Sequence, residues 1–151
     1  MALGSNLGDR AAHLREAVHG LDALPRTKVV GQSSIHETAA MLPPENPAAQ
    51  PSYLNSVVEL DTQVTADVLH AELKALETRL GRIASTRWAP RVIDLDLLFL
   101  DEQVLSTPTL TLPHPRLHER RFVLEPMVEL APEFQHPLLQ RSMRQLLNAL
   151  M

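Results

Sequence analysis

The sequence feature that most constrains the fold is the run RWAPRVIDLDLLFLD, from Arg87 to Asp101. Its many Val, Ile, Leu and Phe residues are typical of a buried strand, yet two aspartates stand two residues apart within it. Residues i and i+2 of a strand point to the same side, so Asp94 and Asp96 are predicted to share one face. The opposite face is predicted to be apolar and to hold Ile93, Leu95, Leu97 and Phe99. The run therefore predicts a sheet with carboxylates on one side and a hydrophobic core on the other.

The rest of the chain predicts strands and helices that alternate around this strand. In order, the pattern predicts a strand stub at Met1 to Leu3, a helix capped by Asp9, strands at Lys28 to Thr38 and Tyr53 to Asp61, a helix between Thr65 and Gly81, and a final amphipathic helix from about Ser142. The order β-α-β-β-α-β matches a ferredoxin-like, split βαβ antiparallel sheet with helices packed on it and extra C-terminal elements. We therefore predict an α+β fold.

Length and composition favour a single soluble domain over residues 1–151. Hydrophobic residues make up 44% and charged residues 21% of the chain, and no repeat or linker-like segment divides it. No apolar run approaches the roughly 18 residues that a membrane span needs, and the N-terminal residues have no secretion or transit pattern. The absence of cysteine excludes disulfides and fits a reducing compartment. We expect a cytoplasmic monomer.

The charge distribution favours a small anionic ligand over a polyanion. The net charge is −4, so the chain as a whole repels nucleic acid and anionic membrane surfaces, and we expect neither as a partner. Arginines nevertheless cluster in two stretches, one with Arg79, Arg82, Arg87 and Arg91 and the other with Arg116, Arg120 and Arg121. The planar guanidinium group grips a phosphate or a carboxylate through two hydrogen bonds.

The paired aspartates suit a magnesium ion. Two ionised carboxylates that lie close together and half buried are costly unless something positive joins them. Mg²⁺ takes one or two carboxylates together with phosphate oxygens and water. The alternative is that Asp94 and Asp96 face solvent on an edge strand, where charge prevents aggregation, and that the neighbouring Arg87 and Arg91 simply form ion pairs with them.

A second group of residues suits a flat heteroaromatic ligand. Tyr53 and Asn55 share a face of their strand, so a ring to stack on stands beside an amide that both donates and accepts hydrogen bonds. Phe122 is a candidate for a second ring. The alternative interpretation of Tyr53 and Asn55 is an ordinary, half-exposed strand surface.

Three other motifs are less specific. His114 and His118 have the i, i+4 spacing of a helical zinc pair, but Pro115 lies between them and no third ligand is evident, so a histidine beside arginines is more consistent with a phosphate donor or a surface residue. The stretch GSNLGD is compatible with a phosphate-binding turn but lacks the Lys-Ser/Thr ending of a P-loop, which favours a tight strand-to-helix turn. The proline-rich segment Ala39 to Pro51 predicts a lid or binding loop.

Four segments together resemble the 6-hydroxymethyl-7,8-dihydropterin pyrophosphokinase family of folate biosynthesis. They are LGSNLGD, SYLNSVVEL, RWAPRVIDLDLLFLD and TLPHPRLHERRFVLEPMVELAP, and they match in order over nearly the whole chain. The runs R-W-x-P-R-x-x-D-x-D and P-H-P-R-x-x-x-R-x-F are the most specific of the matches.

The resemblance implies an enzyme that transfers the β,γ-pyrophosphoryl group of ATP to the hydroxymethyl group of the pterin and releases AMP. It also implies that Asp94 and Asp96 hold two Mg²⁺ ions and that the catalytic arginines Arg82 and Arg91 clamp the phosphates. The residues expected at the nucleotide are Glu77, Arg87, Trp88, Thr111, His114 and Arg120. The residues expected at the pterin are Thr38, Tyr53, Asn55 and Phe122.

The chain departs from the family pattern at three places. Ala84 stands where a further arginine is usual, so Arg87 is a candidate for the missing phosphate contact. The loop TAAMLPPENPAAQP is longer than usual and has Ala39 in place of a proline. The first strand is short, since only Met1 to Leu3 precede the turn.

Two other functions compete with the enzyme interpretation. One is a non-catalytic ferredoxin-like module that binds a nucleotide or an anion, which would not need both aspartates on one face. The other is an RNA-binding sheet, which an aromatic content of 3% and the net negative charge disfavour.

Overall fold

The computed structural model of the protein describes residues 1–39, 51–81 and 91–150. Within these ranges the strands are β1 (Ala2–Ser5), β2 (Thr27–Gln32), β3 (His36–Thr38), β4 (Tyr53–Thr62), β5 (Asp94–Asp96), β6 (Leu105–Ser106) and β7 (Thr111–Leu112). The helices are α1 (Arg10–Asp22), α2 (Ala66–Arg79), α3 (Arg121–Leu130) and α4 (Met143–Ala149), and a short 3₁₀ helix covers Leu117–Glu119. The architecture is thus a mixture of helices and antiparallel sheet, as the sequence predicts.

The main sheet has the strand order β2-β4-β1-β5, and β3 pairs with β4 beyond the end of β2. Every pairing in it is antiparallel. β6 and β7 form a separate two-stranded hairpin. The short β1 is therefore a central strand, between β4 and β5, and the carboxylate-bearing β5 is at an edge of the described sheet.

One face of the sheet is closed by α1 and α2. Asp9 caps α1, because its carboxylate accepts the Ala12 N–H at 3.1 Å. The buried residues of the two helices follow helical spacing and include Leu14, Ala17 and Leu21 on α1 and Leu69, Leu73 and Leu76 on α2. They pack against Leu3, Val58, Ile93 and Leu95 of the sheet in one continuous cluster.

The other face is partly covered by α3 and α4. These helices form a second cluster, with Val57 of β4 and Ala2 of β1, whose buried members include Leu124, Met127, Met143 and Leu146. Val57 and Val58 thus belong to different cores, which is the alternation expected for a strand buried on both sides. A capping box begins α4, since the Ser142 and Gln145 side chains each bond the other residue's backbone N–H.

The structure corrects three expectations about the elements. The strand expected at Lys28 to Thr38 is divided into β2 and β3, because the Ser33 hydroxyl replaces a backbone carbonyl as acceptor for Val57 N–H and the chain turns there. β5 ends at Asp96, so alternation stops and Phe99 belongs to the second cluster instead of the first. α3, which contains Pro126, was not among the predicted elements.

Helices of the described ranges are all too short or too polar to cross a membrane.

Candidate active site

A cavity of about 300 Å³ lies on the sheet face that α3 and α4 leave partly uncovered. Of the predicted site residues that the structure describes, nine line it, namely Thr38, Tyr53, Asn55, Arg91, Asp94, Asp96, His114, Arg120 and Phe122. They come from β3, β4, β5, α3 and the segments that precede β5 and α3. The volume is at the lower end of the roughly 300–1,000 Å³ that small-molecule sites occupy.

Strand register explains why these side chains meet. Gly4 of β1 pairs with Asn55 on one side and with Asp94 on the other, while Ala2 pairs with Val57 and Asp96. Directly paired residues of an antiparallel sheet share a face, so the amide and both carboxylates project to the same side. A Cβ atom at Gly4 would lie 3.3 Å from the Asn55 and Tyr53 side chains, which makes glycine the residue that leaves the floor of the cavity open.

The two aspartates differ in their surroundings. Asp94 Oδ1 accepts a hydrogen bond from Arg91 Nη1 at 3.0 Å, and both side chains are largely buried. Burial raises the pKa of Asp96, and the charge of Asp94 raises it further. The simple ion pair considered for Arg91 is therefore present at Asp94. At Asp96 the charges of Lys74 and Arg120 lower the pKa by less than burial and Asp94 raise it.

Arg91 is held by a residue that the sequence did not single out. Asn6 is fully buried, its side-chain oxygen accepts the Arg91 N–H at 2.7 Å, and its own N–H donates to Arg91 O at 3.1 Å. Its amide nitrogen also donates to Pro51 O at 3.3 Å. The turn GSNLGD thus serves the site through a buried amide, and the signal for it was an asparagine placed directly after an apolar central strand.

A second cavity of about 260 Å³ adjoins the first. Asp96 and His114 line both cavities, and Thr111 lines the second one together with His70 and Lys74. Asp96 and His114 therefore stand where the two spaces meet, and Asp94 lies two residues from Asp96 on the same strand.

His114 is a neutral hydrogen-bond donor at this junction. Burial, and then the charges of Arg120, Arg116 and Lys74, lower its pKa to about 4. Its Nδ1 accepts the Arg116 N–H at 3.3 Å, so the ring proton is on Nε2. The backbone at His114 is fixed as well, because the His114 N–H donates to Leu98 O at 2.9 Å.

The ring-lined end of the first cavity is organised around Asn55. The Asn55 Nδ2 group donates to Thr38 Oγ1 at 2.7 Å, which fixes the orientation of the amide. Phe122 lines the cavity from the first turn of α3, and the Arg120 guanidinium lies 5.8 Å from the centre of its ring. An amide of defined orientation between Tyr53 and Phe122 is suited to a flat polar ligand.

Glu77 occupies a different position from the other predicted residues. It is buried on α2 and lines neither cavity; its Oε2 accepts the Leu95 N–H at 2.8 Å, and its Oε1 lies 3.2 Å from Lys74 Nζ. It supports the backbone between Asp94 and Asp96 from behind. Its expected contact with a nucleotide stays a prediction.

Several predictions fall on other parts of the chain. Arg82, Arg87 and Trp88 lie outside the described residues, as do Ala84 and most of the proline-rich loop. Within the described ranges no group of three His, Asp or Glu side chains is arranged to hold a metal ion, so the pair His114 and His118 has no third ligand there.

A cavity lined by rings together with carboxylates, cations and groups of shifted pKa is typical of an enzyme's active site. The 7,8-dihydro-6-hydroxymethylpterin-pyrophosphokinase family model matches residues 1–132, and the chain belongs to this family of enzymes.

Individual relatives agree with this assignment. The chain is 38% identical over 137 residues to the 2-amino-4-hydroxy-6-hydroxymethyldihydropteridine pyrophosphokinase of Pseudomonas aeruginosa, covering 91% of this chain and 82% of that protein. It is 41% identical over 133 residues to the protein of the same name from Methylorubrum extorquens, covering 88% and 82%. A crystal structure of an HPPK-DHPS in complex with substrates has a similar fold, with a TM-score of 0.67 and 14% identity over 98% of this chain and 42% of that one.

Proposed function

We propose that the chain transfers the β,γ-pyrophosphoryl group of ATP to the hydroxymethyl group of 6-hydroxymethyl-7,8-dihydropterin, a step of folate biosynthesis. The hydroxymethyl oxygen attacks the β-phosphorus, the bond from that phosphorus to the oxygen bridging to the α-phosphate breaks, and AMP leaves with the bridging oxygen. The hydroxyl proton is lost, and the pterin diphosphate is the second product.

The observation that carries this proposal is the junction of the two cavities at Asp96 and His114. A pterin in the ring-lined cavity and a nucleoside in the cavity beside Thr111 would bring the hydroxymethyl group and the triphosphate together at that junction. The protein contributes chiefly position and electrostatics, because transfer of this kind needs no covalent intermediate with the chain.

The donor set at the junction fits Mg²⁺. Asp94 and Asp96 supply carboxylate oxygens from one strand face. Burial and then the charge of Asp94 raise the pKa of Asp96, so a bound cation would stabilise its charged form. A site with only two protein ligands suits an ion that takes its remaining oxygens from phosphate and water. Two bound Mg²⁺ ions would neutralise the charge that develops on the phosphate oxygens.

Cationic and neutral donors have separate tasks in this proposal. Arg91 and Arg120, which both line the first cavity, offer charge to the triphosphate, and His114 offers a neutral N–H. Arg82, Arg87 and Trp88 are proposed to complete the phosphate and nucleotide contacts. Thr38, Tyr53, Asn55 and Phe122 are proposed to bind the pterin by stacking and by hydrogen bonds to its amide edge.

We also propose a single domain over residues 1–151 with the ferredoxin-like, split βαβ topology. The order β2-β4-β1-β5, with α1 and α2 on one face, supports this topology. A monomer in the cytoplasm completes the proposal, and light scattering of the purified protein at increasing concentration tests the oligomeric state.

The function is tested by incubation with ATP, Mg²⁺ and the hydroxymethyl pterin and separation of AMP from ADP. AMP together with the pterin diphosphate supports the proposal, whereas ADP means an ordinary kinase. Binding of both ligands without product means the non-catalytic nucleotide- or anion-binding module.

The metal assignment is tested by Asp94→Ala and Asp96→Ala. Each variant is expected to lose at least about 10³-fold of the AMP-forming rate while its melting temperature is retained, because the carboxylates act on phosphate charge and not on packing. Asp61→Ala, at an exposed aspartate of β4, is the matched control and should keep the wild-type rate. Turnover retained in Asp94→Ala or Asp96→Ala would contradict the assignment.

A further inference from the structure

A group of polar side chains joins α3 to the turn between β2 and β3, on the same side of the sheet as the cavity. Glu129 Oε2 accepts the Ser34 N–H at 2.8 Å, and Glu129 Oε1 accepts from the Ser34 hydroxyl at 2.5 Å and lies 3.1 Å from His36 Nε2. Glu125, one turn earlier on α3, lies 3.9 Å from His36 Nδ1. Ser34, His36, Glu125 and Glu129 are called the Glu129 cluster below.

The two elements that this cluster connects carry the two walls of the ring-lined cavity. α3 carries Phe122 in its first turn, and β3 carries Thr38, both of which line the cavity. In the register of β3 with β4, His36 is opposite Asn55 and Thr38 is opposite Tyr53. His36 therefore projects to the same face as Asn55, two residues before Thr38 on β3.

β3 is joined to α1 by the ion pair of Glu37 with Arg10 at 2.7 Å, whereas His36 joins it to α3. β3 is three residues long and pairs only with β4 in the described part of the sheet, so its outer side is not held by a strand ladder. Glu129, in contrast, binds a backbone N–H, a hydroxyl and an imidazole at once, and charge-assisted hydrogen bonds of this kind are stronger than neutral ones. These hydrogen bonds lower the pKa of Glu129 and keep it ionised, and the largest effect is that of the Ser34 hydroxyl.

An ordinary surface ion pair of the same length is available for comparison. Arg144 Nε lies 3.1 Å from Glu133 Oε1, but both side chains are mostly exposed, and the pair joins α4 to the segment after α3 without reaching the cavity. Exposed pairs of this kind contribute little to stability. The Glu129 cluster differs because it grips the backbone of the strand end that leads into Thr38.

We propose that Glu129, through Ser34 and His36, is a positioning residue that sets the separation of the Thr38 wall from the Phe122 wall, and so controls affinity for the pterin. The inference rests on the proposed function, since it assigns the ring-lined cavity to that substrate. The residue touches no reacting atom, so the transfer step and the binding of ATP are unaffected.

The test is Glu129→Ala, compared with Glu129→Gln and with the control Glu133→Ala. Glu129→Ala should raise the KM and the equilibrium dissociation constant for the pterin by about 5- to 10-fold, the scale of about 1 kcal/mol of lost contact. The kcat and the KM for ATP should stay within about twofold of the wild type. Glu129→Gln keeps an acceptor for Ser34 and should recover most of the affinity, and Glu133→Ala should match the wild type throughout.

Unchanged pterin affinity in Glu129→Ala, or an equal change for both substrates, would overturn the inference. If Glu129→Ala does not fold, Ser34→Ala removes the hydroxyl contact alone and should show a smaller rise in the same constant; no rise there would also overturn it. Pterin binding is measured by calorimetry without ATP, so the inference is tested even if the wild type forms no AMP. In that case the proposed function fails and the positioning role stands or falls on binding alone.

Discussion

The two faces of the main sheet are built differently from the same strands. On the face covered by α1 and α2, sixteen buried hydrophobic residues of the described part of the chain form one continuous cluster. On the face covered by α3 and α4, the apolar cluster has eight buried residues within the same described ranges, and the cavity lined by carboxylates, cations and rings lies beside it. α1 and α2 thus pack on one face of the sheet, whereas α3 and α4 cover only part of the other face.

Strand alternation lets one short segment serve both faces. In β5 the central Leu95 is buried in the first cluster, while Asp94 and Asp96 face the cavity. The well-packed side holds the backbone rigid, and Glu77 adds a hydrogen bond to Leu95 N–H from that side. A carboxylate pair of defined geometry therefore depends on the apolar face behind it.

The first test of this comparison is a substitution in the core on the closed face, the one covered by α1 and α2. Leu21→Ala on α1 removes a side chain that is 0% exposed and leaves a cavity, so the free energy of unfolding should fall by about 2–5 kcal/mol. The KM values at 20 °C should change little, because Leu21 lies far from the groups that face the substrates. Denaturant unfolding and steady-state kinetics measure the two quantities.

Loss of pterin or ATP affinity in Leu21→Ala at a temperature where the variant is folded would contradict the separation of roles between the faces. Val68→Ala, at an exposed position of α2, serves as the control and should change the stability by less than about 0.5 kcal/mol.

The second prediction concerns the open face, where a substitution should lower activity and leave the local chain path unchanged. Arg91→Ala should reduce the rate of AMP formation by about 10²–10³-fold, the scale of one lost electrostatic donor, because the guanidinium faces both aspartates. Asn6 binds the Arg91 backbone and not its side chain, so the local chain path should be kept. Near-normal kinetics would make Arg91 a structural partner of Asp94 only.

The elements that the sequence predicted best are those with strong local signals. The cap at Asp9, the helix between Thr65 and Gly81, and the helix that begins at about Ser142 are all confirmed, since each depends on neighbours within a few turns. Gly81 has a φ of +104°, the left-handed conformation for which glycine follows a helix.

The expectations that failed depended on distant partners. The end of β5 is set by where pairing with Ala2 stops. Phe99 was therefore predicted wrongly on the face of Ile93 and Leu95, and it packs in the second cluster instead. The division of β2 from β3 depends on Ser33 reaching β4, and α3 on packing that tolerates Pro126. For the candidate site, the residues on shared strand faces could be predicted from spacing, whereas Asn6, Glu129 and the support role of Glu77 depend on contacts between residues 18 to 95 positions apart.

The smallest expected effect concerns the cover of the open face. His136 is buried beside Phe99, and its Nδ1 accepts both the Leu138 and the Leu139 N–H at 3.1 Å, so it is neutral in the folded protein. Burial, and then the charge of His118, lower its pKa. The stabilising contribution is fully present above the unfolded-state pKa of about 6.5 and is lost as the pH falls toward the lower, folded-state pKa.

His136→Asn tests this contribution, because an asparagine oxygen can accept the same two N–H groups without titrating in this range. Between pH 7.5 and pH 5.5 the wild type should lose about 1 kcal/mol more stability than His136→Asn, which corresponds to a difference of about 3 °C in melting temperature. His114 is present in both proteins, so its own titration cancels in the comparison. An equal loss of stability in the two proteins would mean that the titration of His136 contributes nothing to the pH dependence of the open face. The packing of α3 and α4, and not the turn at His136, would then hold α4 in place.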